Sequence, residues 1–210
     1  MKFEQEFLNV IRARFKEIKR LGDRTLDQLS DDDMHWRYNE SSNTIAVLAK
    51  HLRGNMYSRW TDVFTSDGEK ADRGRDDEFE DDLHSKADVI AAWEDGWQVF
   101  FNALNSFTVD DLLRTQKIRG EDHTILDALE RQHSHYATHI GQMMFIGKQI
   151  KGEDWQSLSI PKGKSEVWNG TQTTCYRLFW RPLLASAGVL KFLAMIMRRR
   201  TGAVSGTTFM

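Results

Sequence analysis

Proline is almost missing from this sequence. Its 210 residues hold two, Pro161 and Pro182, so residues 1–160 run without one. Proline breaks helix interiors, and its scarcity favours long helices and an all-helical fold. Cysteine is scarcer still. Cys175 stands alone, which excludes an intramolecular disulfide framework and suits a reducing compartment. Neither sign of charge dominates: 29 basic and 31 acidic residues leave a formal net charge of -2. That balance gives no electrostatic case for nucleic acid or an anionic membrane as the main partner. The opening stretch MKFEQEFLNV is charged and amphipathic and lacks the apolar run of a secretory signal, so a cytoplasmic protein is expected. No run of alternating residues is long enough for a sheet, and no internal repeat is visible.

What is present is large apolar volume. Hydrophobic residues make up 40% of the chain, with twelve Phe and seven Trp, enough to build a real core. The apolar residues recur at helical spacing in four long segments. The first, near residues 2–21, carries Phe3, Phe7, Val10, Ile11, Phe15, Ile18 and Leu21, with Gly22 as its end. The second starts at the N-cap Asn43, carries Ile45, Leu48, Leu52, Met56, Trp60 and Val63, and ends near Thr65. A charged stretch to about His84 follows, longer than an ordinary bundle connection, and so either a functional or a mobile loop. The third opens with Ser85 and Asp88, spaced as a capping box, and presents Val89, Trp93, Trp97, Phe100, Phe101 and Leu104. Residues 108–114 resemble another capped start. The fourth segment, residues 124–151, carries Ile125, Leu129, Tyr136, Ile140, Met143, Ile146 and Ile150, with Gly152 as a C-cap. Four amphipathic helices of similar length predict a four-helix bundle.

Beyond Trp155 the character changes. Residues 157–168 read as a short extended segment with Pro161 and Gly163. Residues 183–197 are apolar and precede Arg198, Arg199 and Arg200. A bilayer span needs roughly 20 apolar residues. This run is shorter and holds Lys191, so a surface-lying or bundle-docked helix is expected rather than a span. A membrane-interface role through the arginine cluster, and an atypical or artefactual extension, stay open.

The chemistry-bearing feature is a set of histidines. His135 and His139 are four apart on the fourth helix, which places both rings on one side with Cβ atoms roughly 5–6 Å apart. Both lie at the edge of the apolar stripe, where a pocket between helices opens to water. His51, on the second helix, lies at the edge of its own stripe beside Leu48 and Leu52. In a bundle, ligands from facing helices converge in this manner. Three neutral imidazoles would leave coordination positions open, as reactive metal sites do, whereas structural zinc sites are usually closed by four protein ligands. A His-x-x-x-His pair also occurs as plain polar helix face. His133 falls on a different face from the pair and is set aside. His35, His84 and His123 read as surface or capping residues.

The segments His51-Leu52-Arg53-Gly54-Asn55, Arg59-Trp60-Thr61-Asp62, Thr65-Ser66-Asp67-Gly68-Glu69-Lys70 and Arg75-Asp76 resemble a bacterial, DinB-like branch of the DinB/YfiT-like superfamily. So do His135-Tyr136-Ala137-Thr138-His139-Ile140-Gly141-Gln142 and the stretch from Trp155 to Gly163. The resemblance covers about residues 1–169. It implies a DinB/YfiT-like four-helix bundle over residues 1–169 and leaves 170–210 as an atypical C-terminal extension. It also implies a site for one divalent transition metal, zinc or nickel, held by His51, His135 and His139. All-nitrogen donors do not choose between those ions.

The resemblance suggests relatives that act as metal-dependent S-transferases on a low-molecular-weight thiol, and others proposed as metal-dependent hydrolases. Bound M2+ lowers the pKa of a thiol or a water, so both chemistries fit. A non-enzymatic metal- or ligand-binding stress protein is the alternative class, and a scaffold that only dimerises is a third. A small thiol or other small substrate is the expected partner, and a homodimer stays open. No side chain stands out as a general base. Asn55 and Gln142 could orient water or fix a ring tautomer, or be plain helix-face polar residues. Asp76, Asp77, Glu78 and Glu80 could close over a pocket, but a solvated acidic loop is the commoner outcome. Arg53, Arg59 and Arg75 could hold the carboxylates of a small thiol, or form surface ion pairs.

Overall fold

The computed structural model describes residues 3–160, and the secondary-structure elements lie in one compact unit, Met1–Ser159. The boundary placed at residue 169 and the extension 170–210 fall outside the described residues. Four α-helices carry the fold: α1 (Phe3–Asp27), α2 (Ile45–Trp60), α3 (Lys86–Ser106) and α4 (Ile125–Lys151). The chain is an all-α helical bundle, with α2 packed mainly on α3 and α1 on α4. No helix among the described residues is long and apolar enough to cross a membrane.

Each helix start has a physical cause. The hydroxyls of Thr44 and Thr124 accept the backbone N–H of Val47 and Asp127, and Ser85 accepts that of Asp88. Thr44 thus takes the N-cap place expected of Asn43. Helix α2 stops at Trp60, short of Thr65, where Asp62 adopts a positive φ. Gly152 leaves α4 with φ 53° and acts as its C-cap.

The first helix departs from the expected pattern. It continues past Gly22 to Asp27, and its buried stripe is Leu8, Ile11, Phe15, Ile18, Gly22, Thr25 and Leu26, while Phe3 is exposed. Gly22 is a contact and not a stop: a Cβ there would collide with the Trp93 indole. On the other three helices the expected stripes are buried, save that Val63 lies beyond the end of α2 and Phe101, Ile146 and Ile150 are partly covered. Phe15, Trp97, Phe100 and Tyr136 form the centre, with Phe15 and Phe100 4.4 Å apart and Phe100 edge-on to Tyr136 at 5.6 Å.

A small sheet corrects the expectation of none. Strands β1 (Thr115–Ile118) and β2 (Glu121–Thr124) pair antiparallel, Ile118 opposite Glu121. Four residues per strand hold too few alternations to show as a period. The turn residues Arg119 and Gly120 both have positive φ, 56° and 79°, as a tight hairpin needs. The Asp67 carboxylate accepts both turn amides, Arg119 N at 2.8 Å and Gly120 N at 2.7 Å, and so ties the hairpin to the loop after α2.

Candidate metal centre

Helices α2 and α4 bring His51, His135 and His139 to one end of a cavity of about 330 Å³. Their Nε2 atoms face one another: His51 to His135 at 3.4 Å, and His135 to His139 at 3.0 Å. An ion about 2.0–2.1 Å from each nitrogen would hold tetrahedral neighbours about 3.3 Å apart. These two spacings bracket that value, and all three ligand atoms lie within 4.8 Å of one another. The three rings are placed so that they could hold one metal ion.

The outer nitrogens explain the orientation. His51 Nδ1 lies 2.9 Å from the Glu78 carboxylate, His139 Nδ1 lies 2.9 Å from Gln142 Oε1, and His135 Nδ1 lies 3.3 Å from Gln132 Oε1. A carboxylate can only accept, so His51 must carry its proton on Nδ1, which leaves the Nε2 lone pair aimed inward. Side-chain carbonyl oxygens on Gln132 and Gln142 impose the same tautomer on the other two rings. Three inward lone pairs without protons between them repel, and a cation relieves that repulsion. Burial, then the neighbouring charges of His139, His51, Arg131 and Arg59, lowers the pKa of His135 from 6.5 to about 3. Burial also lowers His139. Both rings therefore stay neutral, the form a metal ligand needs.

The long loop after α2 supplies the second layer. Glu78 is buried under His51 in a single turn, Asp77–Phe79, and Arg73 holds it in a fork with both contacts at 2.7 Å. Burial by itself would raise the Glu78 pKa, but hydrogen bonds from His51 and Arg73 hold it below the usual carboxylate range. Gly54 on α2 makes room, since a Cβ there would strike the Glu78 carboxylate. Phe79 stacks on the His51 ring at 4.9 Å. Glu69 accepts from Arg59 at 3.0 Å, Arg73 at 3.2 Å and Arg119 at 3.1 Å. Arg59 also donates to the Gly68 carbonyl. The quoted loop segment 65–70 thus organises a wall of arginines.

Glu78 corrects the expectation of a solvated acidic loop: it is a buried partner of His51, whereas Asp76, Asp77 and Glu80 are exposed and do not line the cavity. Arg59 and Arg75 line the cavity, but Arg53 lies elsewhere, paired with Asp95 at 2.6 Å. Gln142 does contact a site ring. Asn55 lines the cavity while its Oδ1 accepts from the Tyr136 hydroxyl at 3.2 Å. His133 packs edge-on to Phe15 at 5.5 Å, on the core side. His35 and His123 pair with Asp81 and Asp127. Sequence reasoning missed Gln132, Arg73 and the pairing of Glu78. The signals that point to that region in the sequence are the loop motif and the unusual length of the charged stretch after α2.

Among known families, residues 2–164 match the model of the family described as a protein of unknown function, DUF1572. None of the curated proteins matches the chain.

Proposed function

The chain belongs to the DUF1572 family, and from that premise we propose that it is a metal-dependent S-transferase acting on a low-molecular-weight thiol, with His51, His135 and His139 as the ligands of one divalent ion, zinc or nickel. The resemblance to DinB/YfiT-like proteins supports this reading. The observation that carries it is the convergence of three Nε2 atoms from two helices, each ring anchored through Nδ1. Such an ion, when bound, would lower the pKa of a thiol or water reaching its open positions.

The lining of the cavity favours thiol transfer over hydrolysis. Among the described residues no carboxylate lines it, and Glu78 is committed to His51 and Arg73. Activating water for attack on a carbonyl is helped by a free general base, and none stands there. A small thiol brings its own nucleophile. Its sulfur bonds to the electrophilic carbon, the leaving group departs with the electron pair, and the thiol proton passes to solvent. His51, held by Glu78, and His139, held by Gln142, keep the rings fixed during that exchange, while Phe79 shields His51 from water.

The test is conjugation of a chlorodinitrobenzene electrophile by zinc- or nickel-loaded, untagged protein with glutathione, bacillithiol or mycothiol. Product formation that needs the metal and is lost in His139→Ala is expected. A loaded protein that conjugates none of the three thiols overturns the transferase reading. Cleavage of an ester or amide by that same sample would identify a hydrolase, and no turnover at all a binding protein.

A further inference from the structure

The walls of the cavity carry more positive charge than the site needs. Five arginines line it: Arg59, Arg73, Arg75, Arg119 and Arg131. Among the described residues two carboxylates, Glu69 and Glu78, are paired with that group, and they engage Arg59, Arg73 and Arg119. Arg131 has no ion pair among the described residues. Arg75 has none either and rests its guanidinium 5.5 Å from the centre of the Phe79 ring. Both are exposed side chains of the cavity lining. The crowding is felt by Arg59, which is buried and whose pKa is lowered by burial and, although Glu69 opposes this, by the charges of Arg73 and Arg131. Its Nε is buried without a hydrogen-bond partner.

We infer that the cavity binds a small molecule bearing an oxyanion group, a carboxylate or a phosphate, held by Arg75 and Arg131 while its reactive end reaches the three imidazoles. This rests on the proposed function for the role of the imidazoles but not for the anion site itself. A guanidinium presents paired N–H donors that match the oxygens of either group. The volume of about 330 Å³ suits a ligand of metabolite size and excludes a folded partner or a nucleic-acid strand. Like charges gathered around one space also steer such an anion inward.

The experiment titrates succinate and methyl phosphate into untagged zinc-loaded protein at low ionic strength, read by calorimetry, with zinc per chain measured on the same samples. Saturable binding of at least one probe is expected, and the tighter one tells carboxylate from phosphate. Arg131→Gln and Arg75→Gln should each weaken it about tenfold, the loss expected for one charged hydrogen-bonding group, with zinc content unchanged. No saturable binding of either probe, or wild-type affinity in both variants, overturns the inference. Zinc absent while anion binding persists would remove the metal reading alone; zinc present with no anion binding would remove this inference alone.

Discussion

Two faces of the same helices do different work. On α2, Leu48, Leu52 and Met56 are sealed in the core, while His51, Asn55 and Arg59 line the cavity. On α4, Leu129, Tyr136, Ile140 and Met143 are buried, and Gln132, His135 and His139 line the cavity. The apolar face gains from the area it removes from water, with no demand for a particular partner atom. The polar face gains only where each donor meets its acceptor, since a buried polar group left unmatched costs more than a matched one contributes. Asn55 and Tyr136 join the faces through their hydrogen bond, and Trp60 donates to the same hydroxyl at 3.0 Å.

If the faces are separable, damage to one should spare the other. The largest expected effect is in His139→Ala, which removes one of three ligands: stoichiometric zinc binding is lost while the helical circular-dichroism signal stays near wild type. Unchanged zinc content would remove the assignment, and the companion His133→Ala should keep its metal. Next comes Phe100→Ala in the core. It should cost about 3–5 kcal/mol of stability by denaturant titration, with zinc per folded chain unchanged; a loss below about 1 kcal/mol would mean that the aromatic centre is not close-packed.

Glu78→Gln should weaken zinc affinity about 10–100-fold by competition with a chelator, because an amide orients the His51 ring less firmly than a carboxylate. Wild-type affinity in that variant would make Glu78 a purely structural partner of Arg73. The smallest effect is a slope with pH in metal-free protein. His135 is lowered from 6.5 to about 3 in the folded state, so between those values the unfolded chain binds the extra proton. Stability is full above 6.5 and declines as pH falls towards 3. Glu78 acts with the same sign: its contribution, full above the ordinary carboxyl value of 4.5, fades as pH drops through its lowered folded value. The metal-free melting temperature should therefore fall steadily as pH is lowered from 7 towards 4. A flat profile would contradict the buried, neutral state of His135.

The two faces also differ in how far a sequence reveals them. Helical periodicity exposed most of the core, because burial repeats every three or four residues. It failed at Gly22, where close contact with Trp93 and helix termination call for the same residue type, and at Thr115–Thr124, where the strands are too short to show a period. Two histidines on one helix face were readable by the same arithmetic. Their partner His51 was readable as a polar residue at the edge of the α2 stripe, but Glu78, Arg73 and Arg119 reach the site only through a loop and a hairpin turn whose paths no spacing rule records. Charge alone could not separate Glu78 from its exposed neighbours Asp77 and Glu80, because burial is decided by where Gly54 leaves room.

Metal analysis of the untagged chain after dialysis against zinc or nickel bears most directly on the three imidazoles. One ion bound per chain, released only as the pH falls well below the ordinary histidine value of 6.5 because His135 and His139 are both lowered, is the predicted result. A chain that leaves dialysis without stoichiometric metal would contradict the account.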